Sequence, residues 1–153
     1  MRSRQRFAAV GAGSPMTERR IGIDANLLIA AWSGRHPWCE RAVDLLADDA
    51  RQLIVSELLW LEVMPKALYY RRLEEAAFYR GVFARAEHQS VNPAVTDQAK
   101  QLAERHGLAA MDALHLAVAL QANADAFVPG ERPDKPMFRV TELPVTSLWS
   151  PPP

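Results

Sequence analysis

The chain has 153 residues, 49% of them apolar and 24% charged, which suits one globular domain with a sizeable core. A formal net charge of zero argues against a long electrostatic footprint on nucleic acid, while leaving room for a small, shaped site. The single cysteine, Cys39, excludes an intrachain disulfide and points to a reduced, cytoplasmic setting, and no apolar run approaches the roughly 18 residues of a membrane span.

Residues 1–20 carry five arginines and no apolar run of signal-peptide length. They are expected to form a flexible extension, or to reflect a start codon assigned too early, and the Pro-rich stretch 149–153 is expected to be a tail. Between them, over residues 21–148, short apolar runs alternate with helical stretches. Ile21 to Asp24 predicts a first strand, followed by a helix from Leu27 and another over Pro37 to Ala47. Gln52 to Val55 predicts a second strand. Ser56 is placed to cap the next helix, which Pro65 should kink or shorten before Tyr70. A helix follows over Leu73 to Ala86, where Arg71 has the spacing to pair with Glu74 and Glu75.

His88 to Val91 predicts a third strand. Asn92-Pro93 is a helix start and Gly107 the matching stop. Ala109 to Ala122 predicts an apolar helix, Ala126 to Val128 a fourth strand, and Leu143 to Leu148 a short fifth. The alternation implies a three-layer α/β/α domain around a parallel sheet of about five strands. Ligand sites in such sheets lie beyond the carboxyl ends of the strands, where strand order switches.

Four acids sit in or beside apolar segments. Asp24 ends the first strand, although an Asp there is also an ordinary helix cap. Glu62 lies among Leu58, Leu59, Leu61 and Val63, and taken alone it reads as an exposed residue of an amphipathic helix. Asp112 is more informative. It shares a face with His115 on a helix that is otherwise apolar nearly all round, and a buried carboxylate needs a partner, a metal or a wet cleft. His115 is expected to pack behind the acids rather than to bind metal. Glu131 follows the fourth strand among Pro129, Gly130 and Pro133.

Gathered at one point, these acids would need protons or a cation. Two carboxylates about 5 Å apart repel by about 3 kcal/mol at an effective dielectric near 20. Hard oxygen ligands select Mg²⁺ or Mn²⁺ over zinc, and His36 and Cys39 are too sparse to argue for zinc.

The pattern resembles the PIN-domain family, in particular the small VapC-type toxin ribonucleases. Asp24-Ala25-Asn26 matches its first motif, Glu62 its second, and Gly107-Leu108 with Asp112 to Ala117 its third, which is the most specific. The resemblance covers about residues 21–148 and implies strand order 3-2-1-4-5. It also implies Mg²⁺- or Mn²⁺-dependent hydrolysis of RNA by Asp24, Glu62, Asp112 and Glu131. Asp24 and Asp112 would be the metal ligands, and Asn26 would position water or phosphate.

The family's fourth motif, Thr-x-Asp, is replaced here by Pro129-Gly130-Glu131, which removes a hydroxyl and a backbone N–H and lengthens the acid. That departure keeps open a catalytically weak or inactive module that binds RNA or protein. A haloacid-dehalogenase-like phosphatase would need Asp-x-Asp where this chain has Asp24-Ala25-Asn26. The implied partners are RNA, an antitoxin whose Arg or Lys enters the acidic cleft, and a second copy of the chain. Trp38, Tyr69 and Tyr70 are candidate surface residues for such a dimer.

Overall fold

In a computed structural model, residues 18–149 are described. The expected N-terminal extension and Pro-rich tail therefore lie mostly outside the described residues. The elements are β1 (Arg20–Ile23), α1 (Ala25–Ser33), α2 (Cys39–Ala47), β2 (Gln52–Val55), α3 (Glu57–Tyr69), α4 (Leu73–Arg85), β3 (Glu87–His88), α5 (Pro93–His106), α6 (Ala110–Gln121) and β4 (Ala126–Val128). A 3₁₀ turn over Pro136–Arg139 follows.

Caps set the helix starts. Asp24, Ser56 and Asn92 each accept a backbone N–H of the first turn they precede, from Leu27, Leu58 and Val95. Gly107 closes α5 in the left-handed conformation, with φ 69°.

The sheet is parallel throughout, in the order β3-β2-β1-β4. Its strands alternate between two cores. Ile21, Ile23, Leu53, Val55, Ala126 and Val128 pack with α1–α4 on one face. Ile54 and Phe127 pack with α5 and α6 on the other. Burial on both faces explains why the strands read as unbroken apolar runs. At Gly22 a Cβ would stand 2.8 Å from Ala119 Cβ and 2.9 Å from Phe127 Cδ1, so the missing side chain is what lets α6 lie close on β1.

Five expectations need correction. The sheet has four strands, not five. The fifth position holds one parallel bridge between Phe127 and Val145, flanked by Phe127 N–H to Pro144 O and Thr146 N–H to Phe127 O, both 2.9 Å. Pro144 has no N–H with which to extend the ladder. The third strand is two residues, Glu87–His88, rather than His88 to Val91; one further ladder bond, Gln89 N–H to Val55 O, ends it before the cap at Asn92.

Helix α3 runs on through Pro65, which is exposed, so water can satisfy the carbonyl that loses its donor. The ion pair before α4 is Arg72–Glu75 at 3.8 Å and not one from Arg71, whose φ of 57° places it outside the helix. Trp38 is buried at 2% exposure, stacked on His36 and near Trp149, and is no surface residue; Tyr69 and Tyr70 are exposed. Among the described residues, no helix is long and apolar enough to cross a membrane.

Candidate active site

Strand order reverses direction at β1, because the chain fills positions toward β3 and then returns to place β4 on the other side. The carboxyl ends of β1 and β4 flank that switch point, and Asp24 and the Pro129-Gly130-Glu131 loop project from them.

Asp24 is 6% exposed. Its Oδ1 accepts two backbone N–H groups, from Leu27 and from Gly130, both at 2.9 Å. The first is the helix cap. The second joins residues 106 positions apart and ties the β4 loop to the start of α1. Burial first, and the Glu131 charge to a smaller extent, raise the Asp24 carboxyl from 3.8 to about 6 against the opposing effect of these two bonds and of His115.

Gly130 is what permits this approach. A Cβ there would lie 2.5 Å from Leu27 N and 2.6 Å from the Asn26 carbonyl carbon. Beside it, the Asn26 amide donates to Glu131 Oε2, and Lys135 Nζ stands 4.0 Å from Glu131 Oε1.

Asp112 occupies the first turn of α6, which begins without a side-chain cap. The amino end of a helix favours negative charge there. Even so, its carboxyl is raised above the ordinary value, first by desolvation and next by Glu131. His115 and Lys135 oppose that rise, and Glu62 adds to it. His115, 5% exposed, bonds Glu62 Oε1 through Nε2 at 2.6 Å, while the Glu62 side chain remains 32% exposed. His115, expected to pack behind the acids, is thus buried with its ring against Glu62.

Asp24, Asp112, Glu62 and Glu131 thus share one electrostatic environment at the sheet's carboxyl edge. As the side chains stand, no three His, Cys, Asp or Glu residues among those described form a ready metal cage. Glu62 is engaged by His115, and Glu131 by Asn26 and Lys135. The donor chemistry nevertheless fits a hard divalent cation, since Asp24 and Asp112 are both destabilised as anions in part by neighbouring carboxylates.

Gly130 and Lys135 were not singled out from the sequence as site residues. The Pro-Gly dipeptide marks a turn, and Lys135 lies four residues after Glu131, but neither signal reports which loop meets which helix.

Replacing His115 with Phe should preserve burial while freeing Glu62. The expected result is a 10- to 100-fold loss of activity or metal affinity, roughly the effect of losing an orienting partner, with little change in melting temperature. Unchanged activity would leave His115 only a packing role.

A doubly wound parallel α/β domain with a buried Asp and further acids at its switch point is the class that fold and site define. The PIN domain family model matches residues 21–135, and the chain belongs to that family. No curated protein matches it in sequence. Similar solved structures include VapBC2 from Rickettsia felis bound to a promoter DNA fragment, at TM-score 0.64 and 16% identity over 84% of this chain and 98% of that one. A toxin–antitoxin complex from Klebsiella pneumoniae gives 0.59 and 21% over 82% and 98%, and DNA-bound VapBC from Salmonella typhimurium 0.60 and 14% over 86% and 98%. At these identities the likeness is one of fold.

Proposed function

We propose that this protein is a Mg²⁺- or Mn²⁺-dependent endoribonuclease, acting in the cytoplasm as the toxin of a toxin–antitoxin pair. The observation that carries the reading is the buried Asp24, held by two backbone N–H groups and pushed up to about 6, at the switch point of a PIN domain. Perturbed carboxyls in such a place are candidates for chemistry. Toxin–antitoxin complexes among the similar folds support the toxin assignment and an antitoxin partner.

Asp24 and Asp112 would hold the cation, with Glu62 and Glu131 completing the set. A bound cation would polarise a phosphodiester oxygen and favour an attacking hydroxide. Asp24 Oδ1 is fixed by its two bonds, so Oδ2 is the atom left for a ligand. His115 keeps Glu62 aimed at the cluster. Asn26 holds Glu131 with its amide, leaving its carbonyl oxygen to accept from a water.

Cleavage of a labelled RNA with Mn²⁺, wild type against Asp112→Asn, tests this. The variant should lose at least about 10³-fold in rate, as expected where a charge that stabilises the transition state is removed. Cleavage at the wild-type rate would place the chemistry elsewhere.

A second reading, a PIN module without catalysis, is favoured by one observation: Pro129 stands where the family has Thr, and Glu131 is already engaged by Asn26 and Lys135. Calorimetric titration with Mn²⁺ separates the two, since heat of binding lost in Asp24→Asn supports the nuclease and no binding at millimolar Mn²⁺ supports the module.

A further inference from the structure

A cleft of about 1120 Å³ opens beside the acidic centre and shares Asn26 and Gly130 with it. It runs between α1 and the turn joining α3 to α4, and its lining includes Arg35, just past the end of α1, and Arg71 and Arg72 of the turn. Arg72 is engaged, 3.8 Å from Glu75 and over the Tyr70 ring at 5.4 Å. The side chains of Arg35 and Arg71 are exposed and have no ion pair or hydrogen bond among the described residues. Of the two acids in the wall, Glu75 accepts the Tyr79 hydroxyl at 2.6 Å as well as facing Arg72, which leaves Glu74. Two free guanidinium groups therefore face one free carboxylate.

Arg71 also breaks a local rule. At φ 57° it occupies the left-handed region, where a bulky residue is disfavoured and Gly would be at ease. The conformation closes α3: Arg71 N–H donates to Leu68 O at 3.1 Å and Arg72 N–H to Ala67 O at 2.8 Å, the pattern of a left-handed helix end. That turn sets Arg71 at the cleft, with its side chain unpaired among the described residues. Trp32, on α1, lines the cleft at 41% exposure and offers it an aromatic surface.

We propose that this cleft carries the single-stranded RNA on one side of the scissile bond, with Arg35 and Arg71 on backbone phosphates and a base stacked on Trp32. The inference rests on the nuclease reading and extends it. Guanidinium groups match phosphate geometry, and aromatic stacking accepts any base, so the cleft supplies affinity and register more than sequence choice. It also accounts for a neutral protein handling a polyanion: the charge needed is local, and the acids of the centre are offset by a basic path next to them.

The test is fluorescence anisotropy of a short labelled single-stranded RNA on the Asp112→Asn protein, across about 50 to 200 mM salt. Adding Arg35→Ala with Arg71→Gly, the latter easing the backbone, should weaken binding about tenfold or more and reduce the salt slope by about 1.4, or about 0.7 for each phosphate no longer neutralised. Trp32→Leu should weaken binding about tenfold with the slope unchanged, and Lys100→Ala, on exposed α5, should change neither.

Unaltered affinity and slope in the double arginine variant would overturn the proposal even if wild type cleaves RNA. If the arginine substitutions instead abolish binding of a labelled Asp/Glu-rich peptide and leave RNA binding intact, the cleft is a protein groove. Should Asp112→Asn bind no RNA and wild type with Mn²⁺ cleave none, the nuclease reading falls together with this one.

Discussion

Asp24→Asn is expected to abolish Mn²⁺-dependent cleavage and, in the same protein without metal, to raise stability at neutral pH. The two effects share a cause. Asn is as good a helix cap as Asp, and its carbonyl oxygen can accept both N–H groups that Oδ1 now accepts. The substitution therefore keeps the bonds and removes only the buried charge.

The folded carboxyl titrates near 6 and the ordinary one near 3.8, so between these values the folded state binds the proton more tightly than the unfolded state. The stabilising contribution of the proton is complete below about pH 4 and is lost as pH rises through about 6. At pH 7–8 the ionised group then costs roughly 3 kcal/mol, from a shift of about two units. Denaturant unfolding from pH 4 to 8 should show the wild type losing stability relative to Asp24→Asn across that window. Parallel profiles would mean that Asp24 is not strained as an anion. Mn²⁺ should invert the comparison, stabilising the wild type by mass action and leaving the variant unmoved.

Gly130→Ala should be damaging to both fold and activity. The new methyl would stand 2.5 Å from Leu27 N and 2.6 Å from the Asn26 carbonyl carbon. These are backbone atoms of a helix start and cannot turn aside as a long side chain could. The β4 loop must move outward, which breaks the Gly130–Asp24 bond and shifts Glu131 from Asn26. Overpacking together with a lost bond to a buried carboxylate should cost roughly 2–4 kcal/mol. Displacing Glu131 by about 1 Å should cost about 10²-fold in cleavage beyond any unfolding. Gly81→Ala is the control. A Cβ there meets nothing within 4 Å, and in mid-helix it should add up to about 1 kcal/mol. Equal stabilities for the two alanine variants would contradict the close approach at Gly130.

The secondary structure was legible where a local rule settled it. Asn92-Pro93 and Gly107 bracket α5 because capping is decided within one turn, and the apolar runs of β1, β2 and β4 announce strands buried on both faces. The rules were weaker at the sheet's margins. Leu143 to Leu148 has a strand's composition, but Pro144 reduces it to a single bridge. His88 to Val91 has it too, and yet pairing stops after Gln89. Pro65 argued for a shortened helix, yet α3 runs through it to Tyr69.

Asp24 and Asp112 could be singled out from the sequence alone, because a charge inside an apolar segment needs an explanation wherever the segment lies. The sequence by itself determined the alternating α/β order, the acids worth asking about and the family they resemble. Tertiary structure alone decided what each acid touches. His115 meets Glu62 across 53 positions, Gly130 meets Asp24 across 106, and the basic cleft joins α1 to the distant turn between α3 and α4. Such meetings depend on how strands are ordered in the sheet, and local periodicity, which reaches only a turn or two along the chain, carries no information about them.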